Sequence, residues 1–146
     1  MKIQQLSLFL ENKPGHLGGP LRALAKEGIN ILTLSLADTE QFGILRLIVR
    51  DWQKSKETLE KAGYVVTTNE VVAIEVADRP GGLVALLDIL DQKKINIEYM
   101  YAFTFRREDR AVMIFRFESP DAAIQALQAK GVNVIGSVEL YERAED

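Results

Sequence analysis

The chain has 146 residues, 18 of them basic and 21 acidic, for a formal charge of −3. At 47% hydrophobic and 27% charged it has the composition of a folded globular protein, which excludes a disordered chain. With no cysteine and the single histidine His16, disulfides, thiolate nucleophiles and Cys- or His-rich metal sites are excluded within one chain.

Residues 3–10 form an apolar run that predicts a strand. Pro14-Gly15 follows as a turn. Leu17, Leu21, Leu24 and Ala25 then take the spacing of an amphipathic helix, which Gly28 stops. Residues 29–37 and 43–50 read as a hairpin with its tip at 38–42. Asp51 is placed to cap a second helix, Gly63 suits its left-handed end, and residues 64–68 form a short strand. That strand runs through Asn69 and Glu70 into another at 71–77. Pro80-Gly81 is again a turn, and Leu83, Leu87 and Leu90 again mark a helix. Residues 95–105 and 111–117 make a second hairpin with its tip at 106–110. Ser119 and Pro120 start a further helix, Gly131 ends it, and residues 132–136 are the last strand.

The second half repeats the first. Asn12, Lys13, Pro14, Gly15, His16 and Leu17 line up with Asp78, Arg79, Pro80, Gly81, Gly82 and Leu83 at an offset of 66 residues, and Ile29-Asn30-Ile31 meets Ile95-Asn96-Ile97 at the same offset. Leu59 and Gly63 meet Leu127 and Gly131 at an offset of 68. The two extra residues are expected in a hairpin tip, where insertions are tolerated best. Such ordered self-similarity marks a tandem structure. Each half reads β-α-β-β-α-β, so the fold class is α+β: two ferredoxin-like units with antiparallel sheets, divided at 1–70 and 71–146. Each small unit leaves one sheet face open, and no flexible linker separates the two.

Two units of this order resemble ACT domains in the Pro-Gly-x-Leu turn after the first strand and the Asn-Ile pair opening the second. The second half is the closer match; Gly18-Gly19-Pro20 departs from the usual helical run in the first. The likeness covers nearly the whole chain. It implies a regulatory module that binds an amino acid or similar small metabolite, without catalytic residues, cofactor, metal or attached catalytic domain. A homodimer or larger oligomer is expected, and a metabolic enzyme is the implied partner.

The residues supply a chemical reason for such binding. A helix start beside a strand end exposes unpaired N–H groups at the positive end of the helix dipole, which favours a carboxylate. Gly15 and Gly81 let backbone approach a ligand without a Cβ. Asn30 and Asn96 offer both donor and acceptor, and Asp78 carries a charge suited to an ammonium. The ligand-binding candidates are therefore Asn12, Lys13, Pro14, Gly15, His16, Leu17 and Asn30 in the first unit. In the second they are Asp78, Arg79, Pro80, Gly81, Gly82, Leu83 and Asn96.

Other features have plainer readings. His16 reads as a surface histidine, Trp52 as packing on its own sheet, and the charged tip at 106–110 as a solvated turn. Tyr99, Tyr101, Phe103 and Phe105 have period two and share a strand face, with Phe115 and Phe117 expected beside them. Such a face is expected to be buried against the other unit or a second chain.

RNA-binding modules share this element order and stack bases on sheet aromatics, which makes them the rival reading. Residues 71–77 hold no aromatic, however, and the half from residue 71 has 9 basic against 13 acidic groups, so nucleic acid is not expected. A small enzyme is the other rival, but no nucleophile–base pair or phosphate loop stands at recognisable spacing. No signal peptide and no membrane-length apolar run is present, so the expected location is cytoplasmic, without a membrane.

Overall fold

The computed structural model describes residues 1–145, with the backbone alone at 105–107 and 145. The chain forms two compact units: residues 4–69, the N-terminal unit, and residues 70 onward together with 1–3, the C-terminal unit.

In the N-terminal unit, β1 (Ile3–Glu11), α1 (Gly18–Lys26), β2 (Ile31–Thr39), β3 (Phe42–Val49), α2 (Trp52–Lys61) and the start of β4 (Val66–Ala77) follow in order. The strands lie in the order β2-β3-β1-β4, with β1 and β2 antiparallel to β3. Alternation along the strands sends Leu6, Leu8 and Leu10 to one face, where Leu45 and Leu47 meet them, and Leu24 and Leu59 of the helices close that core. Trp52 packs against the same cluster. Asp51 caps α2 as expected, its carboxylate accepting from the Lys54 N–H at 3.1 Å. Helix α1 begins at Gly18, which puts Pro20 in its first turn, where a missing N–H costs nothing.

The C-terminal unit takes the rest of β4 and adds α3 (Gly82–Gln92), β5 (Ile97–Arg107), β6 (Arg110–Phe117), α4 (Pro120–Ala129), β7 (Val134–Ile135) and α5 (Ser137–Glu145). Its strands run β5-β6-β4, with β7 paired to β4. Val72, Ile74 and Val76 meet Leu86, Leu90, Ala123 and Leu127 in the core between sheet and helices. Both units thus show the βαββαβ order with antiparallel pairing.

Several expectations need correction. The strands expected at 64–68 and 71–77 are one strand, β4, which runs on through Asn69 and Glu70 despite their poor strand propensity. The final strand expected at 132–136 shrinks to Val134 and Ile135. Ser119 makes no side-chain cap, leaving Pro120 to open α4. Helix α5 lies beyond every expected element.

The two extra residues sit elsewhere than expected. Both hairpin tips are two residues long, closed by Thr39 opposite Phe42 and by Arg107 opposite Arg110. Between Ala102 and Arg106, β5 advances by four positions while its partner advances from Met113 to Ala111, by two. A bulge in the strand body absorbs the insertion and leaves the turn unchanged.

Register also decides the aromatic face. Met100 lies opposite Phe115 and Ile97 opposite Phe117, whereas Tyr101 lies opposite Ile114. Opposed residues share a face, so Phe115 and Phe117 belong to the helix-side core, stacked at 5.5 Å, and not beside the tyrosines. Phe103 is buried and Tyr99 and Tyr101 half-buried. The side chain of Phe105 lies outside the described residues, as do those of Arg106 and Arg107.

Helix α5 attaches to the same unit. Arg143 Nη1 donates to Glu75 Oε2 at 2.8 Å, and its Nη2 to Glu139 Oε1 at 2.7 Å. Because Val72, Ile74 and Val76 point to α3 and α4, Glu75 points to the opposite face. α5 therefore reaches the face those helices leave open, with Leu140 buried beneath it.

Candidate ligand-binding site

Each Pro-Gly turn joins a strand end to a helix start, and each adjoins a cavity. The larger, about 410 Å³, lies in the C-terminal unit where the two-residue pairing of β7 gives out along β4. Its lining includes Arg79, Pro80, Gly81 and Gly82 from the turn, Ala85, Leu86 and Ile89 from α3, Arg110 from β6, and Glu75 and Asn133. Gly81 has φ +83° at the helix N-cap, a conformation that favours glycine. Gly82 has a different reason: a Cβ there would collide with the carbonyl oxygen of Ala77.

Backbone bonding fixes the cavity mouth. The Asp78 N–H donates to the Asp109 carbonyl at 2.6 Å, and Ala77 pairs with Arg110 in the ladder. The residues following each, Arg79 and Arg110, are thus brought to one opening. On the lining, Glu75 accepts from Arg143 at 2.8 Å and Asn133 at 3.5 Å, with Arg110 Nε at 3.8 Å from its other oxygen. The bond to Glu75 holds the Arg143 guanidinium above its ordinary value despite partial burial.

The N-terminal cavity is smaller, about 170 Å³, and takes Asn12, Lys13 and Leu17 from the turn with Leu36, Asp38 and Gly43. Its polar groups are largely engaged. Lys13 Nζ lies 2.7 Å from Glu11 and holds that carboxyl below its ordinary value, and the Asn12 amide donates to the Glu40 carbonyl at 2.8 Å.

The remaining candidates fall outside these linings. Pro14, Gly15 and the half-buried His16 border the first turn, while Asp78 and Leu83 flank the second. Asn30 and Asn96 stand at the far end of their own sheets from the turn. In the C-terminal unit the length of β6, roughly 20–25 Å at ~3.3 Å per residue, separates Phe117, opposite Ile97, from Arg110, opposite Ala77. Neither asparagine joins the turn of its own unit. Glu75 and Asn133 are lining residues that no sequence motif singles out, and Arg110 lines the cavity where the sequence reads as a solvated turn. The one available signal was Glu75, a charge inside an otherwise apolar strand run. Among the described residues no cluster of His, Cys, Asp and Glu is arranged to hold a metal, and no helix is long and apolar enough to cross a membrane.

A tandem of ferredoxin-like units, each with a glycine turn from strand to helix, is the arrangement of an ACT domain pair. The chain belongs to the ACT domain family: the family model described as an ACT domain pair matches residues 1–143. Protein BT0572 from Bacteroides thetaiotaomicron is similar in structure, with 38% identity over 97% of this chain and 96% of that one and a TM-score of 0.89. The ligand-free regulatory subunit of aspartate kinase from Thermus thermophilus has the same fold at 18% identity, covering 88% of this chain and 91% of that one with a TM-score of 0.63. The corresponding subunit from Thermus flavus gives 19% identity, 86% and 90% coverage and 0.61. Among curated proteins there is no match to this chain.

Proposed function

We propose that this chain is a non-catalytic regulatory protein that binds an amino acid or similar small metabolite in the C-terminal cavity and signals its occupancy to a partner, a metabolic enzyme. The observation that carries this reading is the coincidence of a well-formed cavity with the Arg79–Gly82 turn. Its volume of about 410 Å³ falls in the range of small-molecule pockets. Regulatory subunits of aspartate kinase share the fold, which supports a signalling role. The smaller cavity beside Asn12 and Lys13 is a secondary site. Regulation then follows by linkage: a ligand that favours one state of the chain shifts the partner that distinguishes those states. We assign the assembly as a homodimer, since Phe9 and Phe42 are 67% and 49% exposed on the N-terminal sheet face away from α1 and α2, and exposed apolar patches mark interfaces.

A thermal-shift screen of the twenty common amino acids tests the reading. A true ligand at one hundred times its Kd raises the melting temperature by about 5–10 °C, and Gly81→Asp, with the fold intact by circular dichroism, removes the rise. No shift with any amino acid would overturn an amino acid as the ligand.

A further inference from the structure

We infer that the C-terminal cavity selects a ligand of net negative charge, a small dicarboxylate or acidic amino acid, over its neutral isosteres. This rests on the reading of the cavity as the ligand site and adds the charge class. The argument is a balance of charges around one opening. The only carboxylate among the lining residues, Glu75, is occupied: Arg143, reaching in from α5, donates to it at 2.8 Å and Asn133 at 3.5 Å. Both bonds fall on Oε2, while Oε1 lies 3.8 Å from Arg110 Nε, so a ligand ammonium at Glu75 would stand beside two guanidinium groups that repel it.

Two further cations in the same lining outweigh that one carboxylate. Arg79 is exposed and, among the described residues, has no ion-pair or hydrogen-bond partner for its guanidinium. Arg110 is half-exposed and approaches Glu75 only through Nε at 3.8 Å, beyond hydrogen-bond reach. Asp78 and Asp109, their chain neighbours, contribute the backbone bond that joins the two loops and do not line the cavity. A guanidinium fork matches a carboxylate in two parallel bonds. Arg79 and Arg110, brought to one mouth from separate loops, therefore offer places for two carboxylates, and the Gly81 turn lets the ligand approach backbone closely.

Calorimetry with matched pairs tests this on the full chain. L-Aspartate and L-glutamate differ from L-asparagine and L-glutamine by charge at nearly constant shape, and succinate keeps two carboxylates without an amine. The expected result is that an acid binds about tenfold or more tightly than its amide, with affinity falling as salt rises. Arg79→Gln and Arg110→Gln, both at exposed positions, should each weaken the acid by about tenfold or more and narrow its advantage over the amide. An amide that binds as tightly as its acid, in a manner abolished by Gly81→Asp, would overturn the charge class while leaving the cavity as the site. An acid that binds equally well to Arg79→Gln, Arg110→Gln and Gly81→Asp would overturn both, as would silence from every amino acid and from succinate.

Discussion

Helices α1, α2 and α4 each end on a left-handed glycine, Gly28, Gly63 and Gly131, but α3 ends on Lys94 at φ +55°. Lys94 is the repeat partner of Gly28, so the same backbone turn is built once with a residue that fits and once with one that strains. A left-handed non-glycine costs roughly 1–2 kcal/mol. Lys94→Gly should recover about 1 kcal/mol, read as a higher denaturant midpoint at unchanged slope. The Gly81-Gly82 pair makes the opposite case. A Cβ at Gly81 meets open space and only the left-handed backbone resists it, so Gly81→Ala should cost about 1–2 kcal/mol. Gly82→Ala forces a methyl onto the Ala77 carbonyl and should cost about 2–3 kcal/mol as overpacking against backbone. Equal losses in urea unfolding would mean that β4 yields more easily than the geometry implies. The sequence made these glycines legible as a turn. It did not separate a glycine needed for its φ from one needed for its missing side chain, because that difference lies in what passes nearby.

At the scale of elements, apolar spacing and punctuation were enough to place four helices and the two hairpins, since each has a strong local signal and a copy at a fixed offset. What escaped were features decided by pairing. The offset change between Ile31 and Leu59 bounds an insertion without locating it, and only the β5–β6 register assigns it to the bulge after Ala102. The same register, slipped by one at both Ile31/Thr33 and Ile97/Tyr99, sends Phe115 to the helix side. Helix α5 was invisible for another reason. It has no copy in the first half, and its nine residues carry few apolar side chains among acidic and basic ones. Its docking rests on Leu140, 1% exposed, and on the Arg143–Glu75 bond. Leu140→Ala should therefore cost about 2–5 kcal/mol, the range for a buried leucine. Hydrogen exchange should speed up along α5 before the strands of the C-terminal unit respond. A loss no larger than that of an exposed substitution such as Val138→Ala would show that α5 adds little to the folded state.

At the scale of the whole molecule, the repeat suggests a cut between two equal halves, yet the chain does not divide there cleanly. We propose that neither half folds alone. The boundary between units falls inside β4, between Asn69 and Glu70, where a cleavage leaves both fragments with a truncated strand. The first three residues are a second tie. They belong to the C-terminal unit although they open the chain: Ile3 is 1% exposed, and Lys2 Nζ lies 3.4 Å from Glu70 and 3.1 Å from Asp121. A fragment of residues 70–146 lacks that isoleucine and the partner of both carboxylates. A fragment of residues 1–69 carries the detached tail with its apolar side chain exposed. On this basis each fragment expressed separately should show no cooperative unfolding transition. An equimolar mixture should regain one, because complementation restores the missing strand residues and the Ile3 contact at once. Melting followed by near-ultraviolet circular dichroism, where tertiary packing is read directly, distinguishes the outcomes. Two soluble fragments that each melt cooperatively would establish the units as autonomous and reduce residues 1–3 to a surface attachment.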